Sequence, residues 1–153
     1  MTQAADASSQ PTAPGASSWG PENPPFNLEA ILRPLGDSGF GHVKFRQPND
    51  SAQVVNLDVW VRDLAPDASY SLQRAVDVTL DSQCTSTAWL TLGKGLQPAP
   101  IITDAQGTGS ASLFRDLSAV APGSRFDIHF RVVETATLTP VLESGCYQFV
   151  VSQ

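Results

Sequence analysis

Long hydrophobic runs are missing from this 153-residue sequence, and so is an excess of basic charge. No apolar stretch approaches the roughly 18 residues that a membrane-spanning helix needs. Nine basic residues stand against fifteen acidic ones, which gives a formal net charge of −6. The lack of an apolar run argues against a membrane-spanning helix. The acidic charge balance argues against a protein that binds nucleic acid or anionic lipid through a general basic surface.

Histidine is scarce, and the usual catalytic motifs are missing. The two histidines, His42 and His129, form no H-x-H or H-x-x-x-H pair, which leaves too few nitrogen ligands for a catalytic zinc or copper site. There is no G-x-S-x-G nucleophile motif, and the glycines around Lys94 do not match a phosphate-binding loop. Asp77 and Asp81 give only a weak calcium pattern, and the acidic residues are interpreted as solvated loop carboxylates. We therefore expect no catalytic residue, no metal site and no cofactor.

The chain divides near residue 25. Residues 1–25 are rich in Pro, Ala, Ser and Gly, and Trp19 is their only large apolar side chain. Such a segment cannot bury enough surface to offset its ordering entropy, so it is predicted to be a disordered arm. It has neither the basic start nor the apolar core of a signal peptide. Residues 26–153 are predicted to form one domain.

The two cysteines, Cys84 and Cys146, both fall in this second part. In an acidic, turn-rich β domain they favour one disulfide in an oxidising compartment. The alternative is a pair of buried free thiols in a cytosolic protein.

Apolar and polar residues alternate in short segments separated by turn residues, which predicts an all-β fold. We expect a Greek-key β-sandwich or flattened barrel of about eight strands. Residues 26–36 are predicted to be a short helical turn or an irregular lead-in that Pro34 ends. The predicted strands are residues 41–47, 53–64, 70–76, 87–93, 100–104, 109–114, 124–133, 139–144 and 146–152.

Four outward side chains form a candidate binding surface. Ser71 and Gln73 occupy the polar side of one strand, and His129 occupies the polar side of another. Trp60 interrupts the polar side of a third strand, where it either belongs to a second, smaller cluster under a loop or under the lead-in segment, or marks a partner-binding or dimer patch.

The order of several motifs resembles the copper–zinc superoxide dismutase family over about residues 40–153. That family opens with a Gly-x-Val-x-Phe-x-Gln strand, which residues 41–47 match. Its Cys-Thr-Ser run corresponds to residues 84–86, and residues 103–109 look like its hairpin turn. The resemblance implies a disulfide between Cys84 and Cys146, the latter just before the last strand.

The resemblance also implies metal ligands that this sequence lacks. The two copper-ligand histidines fall on Ser71 and Gln73, and no histidine occupies residues 84–114, where the zinc ligands are expected. The position of the family's substrate-guiding arginine is Glu143. Only His129 matches a copper ligand, and one imidazole does not make a redox site.

The sequence thus favours a protein that keeps the fold of this family but has lost its metal chemistry, because a shared fold does not imply a shared function. We expect a secreted, extracellular or periplasmic, non-enzymatic domain that binds a protein or small molecule or has a structural role. One alternative is a metal-handling or dismutase-related protein with a reduced site around His129. Another is a self-assembling extracellular subunit, a homo-oligomer whose N-terminal arm adds a strand to a neighbour.

Overall fold

The computed structural model describes residues 27–48 and 52–151. The predicted arm, residues 1–25, lies outside these ranges. The described residues contain twelve strands and no helix, and hence no helix suited to crossing a membrane. The strands are β1 Asn27–Pro34, β2 Phe40–Arg46, β3 Val54–Arg62, β4 Ser69–Asp77, β5 Leu90–Thr91, β6 Gly93–Lys94, β7 Gln97–Pro98, β8 Ile101–Thr103, β9 Gly109–Asp116, β10 Arg125–Glu134, β11 Pro140–Ser144 and β12 Tyr147–Val150.

Eight of these strands close into an antiparallel barrel. Their order is β1–β2–β3–β9–β8–β4–β10–β11, and β11 pairs with β1 to complete the circle. The chain runs from β4 through β8 to β9 and then returns with β10 beside β4, which is a Greek-key arrangement. The predicted all-β fold and flattened-barrel architecture are confirmed.

The barrel core follows the predicted alternation. In β3 the inward residues Val55, Leu57, Val59 and Val61 are all buried, whereas Trp60 between them is exposed. A period of two is the spacing of side chains on one face of a strand, so each barrel strand contributes a row of apolar residues to one interior.

The predicted helical turn over residues 26–36 is wrong, because residues 27–34 form β1. Leu28, Ala30 and Leu32 alternate in the core, and Leu32 lies opposite Gly41 of β2. Helix-forming residues such as Leu, Glu and Ala have only a weak preference, which burial in a sheet overrides.

Residues 87–93, predicted as one strand, form two short ones instead. β5 pairs with β4, whereas β6 pairs with β9. β8, which lies between β4 and β9, is only three residues long. The chain from β5 to β6 therefore crosses the gap that β8 leaves between β4 and β9 at one end of the barrel.

Candidate functional site

The outer seam between β4 and β10 brings together three of the four candidate surface residues. Gln73 lies opposite Arg131 in the antiparallel register, with Ser71 two residues before Gln73 and His129 two residues before Arg131. Alternate residues of a strand share a face, so these side chains lie on the outer side of the barrel. Trp60 lies elsewhere, because β9 and β8 separate its strand from β4.

Ser71 and Gln73 are buried on this outer side, at 5% and 4% exposure. The Gln73 amide donates to the Thr91 hydroxyl at 2.9 Å, and its oxygen accepts from Arg131 Nε at 2.8 Å. The Ser71 hydroxyl is 3.0 Å from that of Thr135. Residues 78–92, called the cover segment below, run over the β4–β10 pair and then join the other edge of β4 as β5. Gln73 therefore lies beside this segment and Ser71 beside Thr135, and these two side chains form no open surface in this structure.

Trp89 of the cover segment packs against two side chains of β10. Its ring centroid is 4.5 Å from that of His129, and the Arg131 guanidinium carbon is 4.2 Å from the indole centroid. The second contact is a cation–π interaction. His129 Nε2 lies 3.2 Å from the Ser86 carbonyl oxygen, which can only accept, so this nitrogen carries the proton. Its ring is thus engaged by the cover segment.

The pKa of Arg131 is lowered by its burial, an effect that the carboxylate of Glu143, opposite it in the β10–β11 pairing, partly opposes. A guanidinium nevertheless stays charged at all ordinary pH values. The seam therefore holds a permanent positive charge next to Gln73.

Asp127 fastens the start of the cover segment. Its Oδ2 accepts hydrogen bonds from the backbone N–H groups of Asp81 and Ser82 at 3.1 and 2.8 Å, and the residue is 1% exposed. The expectation of solvated loop carboxylates is wrong for Asp127, because the segment folds over it and supplies the donors that a buried carboxylate needs.

Asp77 holds the next part of the cover segment. It lies opposite Asp127 in the register and accepts from the N–H and hydroxyl of Thr85 and from the N–H of Ser86, all at 3.0–3.1 Å. Desolvation raises the pKa of Asp77, but these hydrogen bonds and the nearby His129 together outweigh it, so that the net pKa is lowered. The carboxylate of Asp77 therefore binds the cover segment. Within that segment, an oxygen of the Asp81 carboxylate accepts a hydrogen bond from the Gln83 N–H.

The disulfide ties the same segment to the far end of the sequence. Cys84 bonds to Cys146, as predicted, and the two Cα atoms are 5.5 Å apart. Cys146 lies between β11 and β12. The cover segment is therefore fixed by two carboxylates from the barrel wall and by one covalent bond.

Sequence reasoning missed Arg131, Trp89 and Thr91 as members of this cluster. Arg131 carried a usable signal, since it follows His129 by two residues on the same side of a strand. Trp89 and Thr91 reach the seam only because of the path of the cover segment, which has no periodic pattern. No group of three or more His, Cys, Asp or Glu side chains with the geometry of a metal site occurs within residues 27–48 and 52–151.

Trp60 lies on the outer side of the sheet formed by β1, β2 and β3. Its indole is 45% exposed and stacks on His42, with centroids 5.6 Å apart and planes inclined by 21°. His42 Nε2 is in turn 3.0 Å from Glu29 Oε1. One row of contacts across three strands therefore holds an exposed aromatic ring in place.

Neither a family model nor a curated protein sequence matches this chain.

Proposed function

We propose that this protein is a non-enzymatic binding domain on a superoxide-dismutase-like scaffold whose metal site has been replaced by a structural cluster. The observation that carries the proposal is the hydrogen bonding of Ser71 and Gln73. These side chains take the positions that the resemblance assigns to copper ligands, and they bond to Thr135, Thr91 and Arg131.

The chemistry of these groups supports the proposal. A serine hydroxyl and a glutamine amide are poor copper ligands, and the guanidinium of Arg131 disfavours a second cation beside it. His129 makes its own contact with Ser86 and Trp89. The cluster is thus suited to holding the cover segment on the barrel rather than to binding a metal ion.

The disulfide supports a location outside the cytosol as part of the same proposal. Disulfides form and persist in oxidising compartments, whereas cytosolic thiols are normally kept reduced. Cys84–Cys146 forms in this structure, and no free cysteine accompanies it among the described residues. We infer an extracellular or periplasmic binding domain.

Metal loading tests the loss of the metal site. The full chain is incubated with copper and zinc, desalted, and measured by elemental analysis and by a dismutase assay. We expect far less than one equivalent of either metal per chain and no dismutase activity, because one imidazole cannot hold a redox metal. The matched control is His129→Ala, which is expected to retain the same trace of metal as the wild type. Stoichiometric copper that disappears in His129→Ala would contradict the proposal and favour a reduced metal site.

A further inference from the structure

The outward side of β1, β2 and β3 combines exposed cations with aromatic rings, and we call it the Trp60 face. Four of its basic side chains are exposed. His42 forms an ion pair with Glu29 on this face. Within the described residues, the four basic side chains form no ion pair with a carboxylate. The face consists of Asn27, Glu29, Ile31, Arg33, Phe40, His42, Lys44, Arg46, Val54, Asn56, Asp58, Trp60 and Arg62.

The charge of this face is opposite to that of the rest of the molecule. It carries four Lys or Arg residues against two acidic ones, which leaves thirteen acidic and five basic residues elsewhere in the chain. A local patch of one sign on a protein of the other sign attracts and orients a partner of complementary charge. The partner of the Trp60 face is therefore expected to be anionic.

The aromatic residues are held in fixed positions between these cations. Trp60 is stacked on His42, and the guanidinium of Arg62 lies over the ring of Phe40 at 4.9 Å from its centroid. A side chain that is already ordered loses little entropy when a ligand binds. The exposed indole is thus a rigid, flat platform rather than a mobile side chain.

The strand register spaces the cations along an extended track. Arg62 lies opposite Phe40, Arg33 follows the last pair of β1 and β2 (Leu32 with Gly41), and Lys44 and Arg46 lie further along β2. The six residue steps from Phe40 to Arg46 span about 20 Å at the rise of a β-strand. A linear ligand with several negative charges would meet cations at both ends of this track and the indole between them.

We propose that the Trp60 face binds an acidic polysaccharide, a chain of sugars that carry carboxylate or sulfate groups. The C–H face of a sugar ring is weakly positive and packs on the negative face of an indole, while the charged substituents meet Arg33, Lys44 and Arg62. Ser110 of β9, opposite Trp60 in the register, places a hydroxyl beside the ring. This inference deepens the proposed binding function and rests on it.

The shape of the face favours a sugar chain over a protein. β2 and β3 are paired along both edges, so a peptide cannot add to them as a strand. Anchoring side chains of a protein partner need pockets, and a depression of about 570 Å³ lies away from this face, at one end of the barrel, beside Leu64, Tyr70 and Pro140. A flat ring with surrounding cations matches a flat sugar instead. Proteins that bind single-stranded nucleic acid present several aromatic rings on which successive bases stack, whereas the second ring of this face, Phe40, is covered by the Arg62 guanidinium.

The test is binding of the full chain to dextran sulfate and to polygalacturonate, with uncharged dextran as the matched neutral polymer, measured by calorimetry at low and at physiological salt. The first two probes separate sulfate from carboxylate recognition. We expect binding to at least one of them, none to dextran, and weaker binding at higher salt. Trp60→Ala is expected to weaken binding about tenfold or more, as loss of a central aromatic contact does, and Lys44→Gln to weaken it less.

Arg125→Gln is the control, because it removes one exposed cation from β10, outside the Trp60 face. Circular dichroism verifies that all variants are folded. Equal loss of binding in Arg125→Gln and Lys44→Gln would overturn the proposal, as would equally tight binding of polyglutamate or single-stranded DNA. No polysaccharide binding, together with self-association that Trp60→Ala abolishes, would identify a second copy as the occupant and overturn it too. Each of these outcomes is independent of metal content, so the inference can fail while the proposed loss of the metal site stands.

Discussion

At the scale of single residues, Asp77 couples protonation to the attachment of the cover segment. Its carboxylate accepts three hydrogen bonds from Thr85 and Ser86. Desolvation opposes the ionised form, but the hydrogen bonds and His129 prevail and hold the pKa below its ordinary value of 3.8. A carboxyl whose folded pKa is depressed stabilises the protein above its unfolded pKa, and this contribution is lost as the pH falls through the folded value.

We therefore expect Asp77→Asn to lower the urea midpoint at pH 7 and to have a steadily smaller effect as the pH falls below about 4. Urea unfolding of both proteins across this range measures the difference. Asp37→Asn changes an exposed carboxylate between β1 and β2 and serves as the control, with little effect expected at either end of the range. A difference between Asp77→Asn and the wild type that stays constant down to pH 2 would show that the hydrogen bonds do not depend on ionisation.

At the scale of elements, the turn between β8 and β9 depends on one glycine. Gly107 has a φ of +79°, and a Cβ at this position would collide with the carbonyl oxygen of Leu64. The Gly107 oxygen accepts from the Leu64 N–H, and the Asp104 carboxylate accepts from the N–H groups of Gln106 and Thr108. This turn therefore closes the hairpin and also packs against the end of β3.

Gly107→Ala is expected to reduce the free energy of unfolding by roughly 2 kcal/mol or more, because backbone strain and a steric clash add together. Gly36→Ala is the matched control, since nothing lies within 4 Å of a Cβ there and its φ is not in the left-handed region. Chemical denaturation of the two variants compares them directly. Similar stabilities would mean that the turn relaxes freely and that its contact with Leu64 contributes little.

Alternation of apolar and polar residues made most strands predictable: residues 53–64 contain β3, and residues 124–133 include all of β10 except its last residue. β1 was not predictable in this way, because its sequence is rich in helix formers and only its pairing with β2 and β11 decides its conformation. The candidate site was predictable in part. The strand period placed Ser71, Gln73 and His129 on one side of the barrel, but the contacts of Gln73 and His129 depend on a cover segment whose path is set by Asp77, Asp127 and the disulfide.

At the scale of the whole molecule, the disulfide joins two parts of the chain that strand pairing and hydrogen bonds also attach to the barrel. Cys84 lies in the cover segment, and Cys146 precedes β12, which pairs with β10. The core of the barrel is formed by other residues and is continuous from β1 to β12. We therefore expect the barrel to form without the disulfide, at a lower stability.

The double variant Cys84→Ser with Cys146→Ser is expected to keep its β circular dichroism and to lose about 2–4 kcal/mol of unfolding free energy, since the cross-link restricts a loop of 62 residues in the unfolded chain. Urea unfolding of this variant and of the oxidised wild type measures the loss, and thiol titration of the unfolded, unreduced wild type should find no free thiol. Because Asp77 and Asp127 hold the cover segment independently, the fluorescence of Trp89 is expected to change little in the folded double variant. A variant that unfolds outright would show that the carboxylates cannot hold the segment alone, and two titratable thiols in protein prepared under oxidising conditions would place the chain in the cytosol.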